Sequence, residues 1–390
     1  MKKQTRNWFT GLIASSLLIL TACGGGGGQP AAKQTKDPIK VGAVFSLTGP
    51  NSPLGVPEKQ AVEMMLKKIN DGGGVNGRPL EIVFEDDKSD NTEAVKAVKK
   101  LISKDKVIAV LGSSGSGPSL GMAEVASSEK ITMISMAAAN QITDPVRAGI
   151  YKTPHTDIHG TKRIYNYLKE KGITKIGILY DSNPYGSGWA EQLKKFAPEY
   201  GITIVADEKY GTKDTSMSTQ LTKIKSTDAK AIIVAGTNPG PSTIVKEAKQ
   251  LGISIPIISS HGSANSKFLE LAGDSANGVL LVAGKLLVPE LVEANDPQAP
   301  VIKEFVKSYS AAYNNAPDGF AGYAYDGLNL LVEGLKLSGG DPAKLGQALE
   351  NVKYVGVTGE FKFSSSDHNG LTEDSMIMVE VRNGKFQIVK

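Results

Sequence analysis

Residues 109–119 read AVLGSSGSGPS. The apolar run Val107–Leu111 is continuous rather than alternating, which suits a strand covered on both faces of a parallel sheet. Gly112 to Gly117 then form a turn of small residues, and a helical pattern starts at Ser119. Small residues let backbone N–H groups approach a ligand closely. The N-terminus of the helix beyond them favours a negative group. The same residues also suit a tight strand-to-helix turn with no ligand.

The same grammar runs outward in both directions. Upstream, strands are expected at Ile39–Phe45 and Leu80–Glu85, with helices at Val56–Asn70 and Thr92–Ser103. Downstream come the helix Ser119–Glu129 and the strand Ile131–Ser135. The pattern then restarts. Helices are expected at Gly160–Lys171, Gly188–Tyr200, Thr215–Ser226 and Pro241–Leu251. They alternate with strands at Lys175–Tyr180, Ile202–Tyr210, Ala231–Ala235, Ile255–Ser259 and Val279–Val282. Two such units predict an α/β protein of two doubly wound lobes. Ligands in these sheets bind outside the carboxyl ends of the strands. Three long helical patterns follow (300–313, 320–337 and 341–349), and short strands close the chain.

The chain has 390 residues, 40% hydrophobic and 22% charged. Its net charge is +4, but Lys2, Lys3 and Arg6 lie in a segment expected to be removed, which leaves a nearly neutral chain. No basic run carries interleaved aromatics, so nucleic acid is not an expected partner. There is one cysteine, Cys23, and four histidines at 155, 159, 261 and 368. No HExxH, CxxC, GxSxG or GxxxxGK motif occurs, so neither a metal, a cofactor nor an enzymatic triad is expected. Gly72, Gly74 and Gly77 satisfy a dinucleotide fingerprint, but they follow a helix and precede a strand, the reverse of what that motif needs. Glu85, Asp86 and Asp87 read as a solvated or helix-capping cluster.

The N-terminal segment has three parts: three positive charges, a short apolar run from Trp8 to Leu20, and Leu20-Thr21-Ala22-Cys23. This is the layout of a secretory signal, with a run too short for a comfortable membrane span. The Leu-x-Ala-Cys ending resembles a bacterial lipoprotein signal, which implies lipidation of Cys23 and an extracytoplasmic, membrane-anchored location. Residues 1–22 are the expected signal and 23–37 a flexible tether.

Several ordered blocks carry a further resemblance. IKVGAVFSLTGPNSPLG (39–55), NDGGGVNGRPLEIVFEDDKSDNTEAV (70–95) and AVLGSSGSGPS are three of them. ITMISMAAAN (131–140), YDSNPYGSGWA (180–190) and HGSANSKFLELAG (261–273) complete the set. Together they resemble the leucine/isoleucine/valine-binding protein family of type I periplasmic binding proteins. The resemblance implies a Venus-flytrap fold and a monomer that serves the permease and ATPase of an ABC importer. It implies a first lobe of residues 38–154 and 284–359 and a second of 155–283 and 360–390. Three hinge crossings would fall near Lys152–Asp157, Ala283–Leu286 and Gly359–Phe363.

The family's ligand positions fall on Ser116, Ala137 and Ala139, which would hold a carboxylate and an ammonium. Tyr185 falls where an aromatic from the second lobe covers the ligand. Thr237 and Asn238 lie at another strand end, Leu54 would supply apolar wall, and Tyr323 is within reach of the cleft although its stripe reads as core. Two positions depart from the pattern. Amino-acid binders carry Thr where this chain has Ala139 and an acid where it has His261. A buried ammonium without a counter-charge is costly, and a protonated imidazole cannot offset it. The expected ligand is therefore a small carboxylate without an amine, an aromatic acid among the options. A branched-chain amino acid, or a sensory receptor of the same fold, is the alternative.

Overall fold

The computed structural model describes residues 37–389; the signal, the tether and Cys23 lie outside them. The first sheet is built from β1 (Ile39–Phe45), β2 (Leu80–Asp86), β3 (Ala109–Gly112), β4 (Thr132–Ser135) and β5 (Ile150–Lys152). All pairings are parallel, in the order β2-β1-β3-β4-β5. Helices α1 (Ser52–Asp71), α2 (Asn91–Lys100) and α3 (Ser116–Ser128) connect these strands. The second sheet uses β6 (Lys175–Asp181), β7 (Thr203–Tyr210), β8 (Ala231–Ala235), β9 (Ile257–Ser259) and β10 (Leu280–Gly284). Between them run α4 (Asp157–Glu170), α5 (Pro184–Phe196), α6 (Ser218–Lys225), α7 (Gly240–Gln250) and α8 (Ser266–Ala272).

The chain then adds α9 (Ala299–Tyr313), α10 (Gly319–Leu337) and α11 (Pro342–Leu349), which pack on the first sheet through Phe305, Leu328 and Leu345. A small hairpin, β11 (Lys353–Val355) and β12 (Glu360–Lys362), follows. Finally β13 (Met376–Arg382) joins the second sheet antiparallel to β10, and β14 (Lys385–Ile388) pairs antiparallel with β13. Its order is β14-β13-β10-β9-β8-β6-β7.

Continuous apolar strands become strands buried on both faces. β8 is buried throughout, and β1 is buried except for Lys40. Each sheet carries a core on either side. In the first lobe, α1 and α9–α11 cover one face, while Val98 of α2 and Met122 of α3 cover the other. In the second, Leu221, Ile244 and Phe268 face one core, and Tyr165, Trp189 and Leu193 the other. In both sheets the strand order reverses beside the first strand, between β1 and β3 and between β6 and β8, so the loops leaving those carboxyl ends diverge and leave a crevice.

Several element boundaries differ from the sequence reading. Helix α3 starts at Ser116 rather than Ser119, because extended Gly115 serves as N-cap and Pro118 fits a first turn. Helix α5 starts at Pro184 rather than Gly188, since the Asn183 side chain accepts from the Gly186 amide. The three-residue β5 and the short α8 lack the length to show a period.

The expected third crossing at Gly359–Phe363, and with it the assignment of 360–390 to the second lobe, is corrected. β12 pairs with β11, and Phe361, Phe363 and Leu371 are buried in the first lobe's core. The chain reaches the second sheet only at Met376. The amphipathic signal of a three-residue strand is too weak to reveal which lobe it serves.

Candidate functional site

A cavity of about 440 Å³ lies between the loops that leave the two sheets. Ser116, Ala137 and Leu54 line it from the first lobe, and Tyr185, Thr237 and His261 from the second. The fold thus brings together six of the residues singled out in the sequence. Ala139 is not among the lining residues; it sits behind them, fully buried. Asn238 is committed to its own loop, where Nδ2 donates to Asn265 Oδ1 and Oδ1 accepts from Ser242 Oγ.

On the first lobe the wall is made of backbone. Gly112 has φ +112°, and a Cβ there would lie 1.9 Å from the Val44 carbonyl oxygen, so only glycine lets β3 end so close to β1. After this turn α3 begins without a side-chain cap and without an acid in its first turn. The amides of Ser116 and Gly117 therefore have neither an intrahelical acceptor nor a capping oxygen. They stand at the positive end of the helix beside the cavity. The neighbouring loop is held by hydroxyls and one lysine. Ser116 Oγ accepts from the Ala139 amide at 3.3 Å, and Ser135 Oγ accepts from the Ala137 amide at 3.1 Å.

Beneath this loop the buried Lys152 ammonium donates to the carbonyls of Ala138 at 2.6 Å and Ala139 at 3.0 Å. Burial lowers its pKa to about 8, against the pull of the nearby Asp157 carboxylate. Burial pushes Asp157 upward in turn, and its Oδ2 accepts from the Asn140 amide.

On the second lobe aromatic rings dominate. Tyr185 Oη donates to Ser260 Oγ at 3.1 Å and accepts from the Gly262 amide at 2.8 Å. Its ring meets His261 edge to face, with centroids 5.7 Å apart, and Trp189 lies at the same distance from His261. His261 is 4% exposed, and neither ring nitrogen has a hydrogen-bond partner among the described residues. Burial, then the neighbouring His155 and Lys152, push its pKa well below the usual histidine value, so the ring is neutral.

A single acid reaches the cavity lining. Asp90 is the one acidic residue in its lining, and that carboxylate caps α2 by accepting from the Thr92 and Glu93 amides at 2.8 and 3.0 Å. Glu58, one turn beyond Leu54, is buried and accepts from Ser114 Oγ. Burial pushes it well above the ordinary carboxylate range, which favours its uncharged form.

The Glu85-Asp86-Asp87 cluster serves the fold. Asp86 accepts from the Leu47, Thr48 and Lys88 amides, and Asp87 accepts from Ser46 and Ser113 hydroxyls. Among the described residues no group of His, Cys, Asp and Glu has the arrangement to hold a metal ion.

The sequence reading missed Asn51, Met136, Phe320 and Lys213 in the lining. Phe320 and Tyr323 come from the first turns of α10, whose apolar stripe does not distinguish cleft from core. His155 was noted only as scattered, yet it lies in the first crossing with its ring centroid 6.3 Å from that of His261.

A family model described as periplasmic binding protein matches residues 38–385. The chain is 28% identical over 331 residues to the leucine-, isoleucine-, valine-, threonine- and alanine-binding protein of Pseudomonas aeruginosa, covering 84% of this chain and 86% of that one. An extracellular ligand-binding receptor from Rhodopseudomonas palustris superposes with a TM-score of 0.84 at 29% identity, covering 91% of this chain and 99% of that one. The branched-chain amino acid transporter substrate-binding protein of Streptococcus pneumoniae, in complex with isoleucine, gives 0.80 at 28% identity, covering 90% and 99%.

Proposed function

Because the chain belongs to the periplasmic binding protein family, we propose that it is the extracytoplasmic solute-binding component of an ABC importer of the branched-chain amino-acid type, and that it binds a small carboxylate lacking an amine. The observation that carries the ligand class is the charge pattern of the cavity. The uncapped first turn of α3 offers amides to an anion. The acids nearest the cavity are otherwise engaged: Asp90 uses Oδ1 to cap α2, and burial favours the neutral form of Glu58. An aromatic acid fits the second-lobe wall, where Tyr185 lines the cavity beside neutral His261.

Closure of the lobes over the ligand then shifts the population toward the form a permease recognises. The protein acts as a monomer, tethered to the membrane through a lipidated Cys23; incorporation of labelled palmitate that is lost in Cys23→Ser tests the anchor.

The alternative, a branched-chain amino acid, is favoured by the names of the relatives above. Calorimetric titration with leucine, isoleucine and benzoate decides between them. Heat from benzoate and none from the amino acids is expected; tight leucine binding with no response to aromatic acids overturns the amine-free reading.

A further inference from the structure

Behind His261 the main cavity gives way to a small hollow of about 20 Å³, lined by His155, His261, Tyr323 and Thr358 together with Leu286 and Val357. His261, Tyr323 and Phe320 line both spaces, so the hollow adjoins the main cavity. Its volume suits a single water molecule, which needs at least about 10–15 Å³ and several polar partners.

Those partners are present. Both nitrogens of His261 and Nδ1 of His155 have no hydrogen-bond partner among the described residues, and Oγ1 of Thr358 lies beside the buried Asp326 carboxylate, to which it can donate while still accepting from water. Their residues are 4%, 0% and 3% exposed, respectively. Buried polar atoms are rarely left unpaired, because each forfeits its hydration for nothing. The His261 ring is wedged between Tyr185 and Trp189, which limits its freedom to turn toward another acceptor.

His155 Nε2 lies 3.1 Å from the Thr358 carbonyl oxygen, which only accepts. That nitrogen therefore carries the proton, and Nδ1 is left as an acceptor. Neutral imidazole is at once a donor and an acceptor. Its natural complement is a group that does the same, such as a hydroxyl, or a carbonyl joined through water. A cation would need an acid that the hollow lacks, and a second anion would face the acceptor nitrogens.

We propose that His261 and the hollow behind it form a distal subsite for an uncharged hydrogen-bonding group at the end of the ligand remote from its carboxylate, with one water in the hollow linking that group to His155 and Thr358. The ligand class is thereby narrowed to hydroxy- or oxo-substituted carboxylic acids. This rests on the amine-free carboxylate reading. His261 is the specificity-determining contact, and His155 and Thr358 are positioning residues that hold the water.

Calorimetric titration with two matched pairs tests the subsite: 4-hydroxybenzoate against 4-methylbenzoate, and 4-oxopentanoate against 4-methylpentanoate. Leucine is the control. A preference of at least tenfold for the polar member of one pair is expected in the wild type. It should fall below threefold in His261→Leu and survive in His261→Gln, which retains a neutral donor and acceptor. Thr358→Val should lower it severalfold without weakening the methyl analogue. Circular dichroism verifies that each variant is folded. Equal affinity within both pairs, or a preference untouched by His261→Leu, overturns the subsite alone. Binding of leucine with none of the four acids overturns both the subsite and the reading on which it rests.

Discussion

His155 and His261 stand edge to face with ring centroids 6.3 Å apart, although one lies in the first crossing between the lobes and the other in the loop after β9. His155 also meets the second crossing and a loop of the first lobe. A Cβ on Gly284 would lie 3.1 Å from its Cε1, and its Nε2 donates to the Thr358 carbonyl. This side chain of the first crossing therefore touches the second crossing, the first lobe and a residue of the cavity wall. Both rings are neutral for the same reason: burial disfavours the imidazolium.

Neutrality has a consequence for pH. Burial pushes the His155 pKa down to about 3 and that of His159 to about 4. Unfolded histidines titrate near 6.5, so below that value the unfolded chain takes up protons that the folded chain refuses. Stability is present above pH 6.5 and lost as pH falls, by about 2 kcal/mol per such histidine at pH 5. The imidazole Cε1–H resonances of His155 and His261 should stay flat between pH 8 and pH 5, where an inflection near 6.5 would contradict the account. His155→Gln should lose about 2 kcal/mol less stability than wild type over pH 6.5 to 5, as measured by urea unfolding.

Gly262 approaches the Tyr185 ring so closely that a Cβ there would lie 2.7 Å from Cε1 and from Oη. Gly262→Ala must displace the tyrosine from its bonds to Ser260 and the Gly262 amide. Ligand affinity should fall by roughly tenfold or more, the worth of one displaced wall contact of about 1.5 kcal/mol, with little change in secondary structure. Unchanged affinity by calorimetry would show that Tyr185 does not shape the bound state.

Glu58 has a raised pKa because it is buried, receives a single hydroxyl from Ser114, and has Asp87 and Asp318 as neighbours. A carboxyl raised in this way contributes its stability below the unfolded value near 4.3 and loses it as pH rises through the folded value. Glu58→Gln keeps the shape without the acid. Its melting temperature should match wild type near pH 4 and exceed it progressively toward pH 8; a variant less stable at pH 8 than wild type would show that the charged form is needed.

The repeating strand-helix order was legible because parallel strands buried on both faces leave continuous apolar runs, as in Ala231–Ala235. The site was legible wherever it is made of strand ends, as at Ser116, Ala137 and His261. Two kinds of information were hidden. Ala139 reads as lining by resemblance, yet its amide turns to Ser116 Oγ, a matter of loop geometry with no periodic signal. Phe320 enters the cleft from a segment distant in sequence, and only the return of α10 to the first lobe brings it near; His155 reaches the hollow behind the cleft from the first crossing. The exit of the hinge after Leu371 was misplaced because Phe361 and Phe363 are apolar in a way that suits either core.

The central claim is that a backbone amide at the start of α3 grips a carboxylate, and one pair of substitutions addresses it directly. Ser116 is the first helical residue, where proline's fixed φ is tolerated, and Gly115 before it is already extended, with φ −99° and ψ 147°. Ser116→Pro thus deletes the N–H and keeps the helix, while Ser116→Ala deletes the hydroxyl and keeps the N–H. Calorimetry with the bound carboxylate should show a loss of about 10- to 150-fold for the proline variant, the value of one charge-assisted hydrogen bond of 1.5–3 kcal/mol, beyond whatever the alanine variant loses. Equal affinities for the proline and alanine variants would contradict the claim.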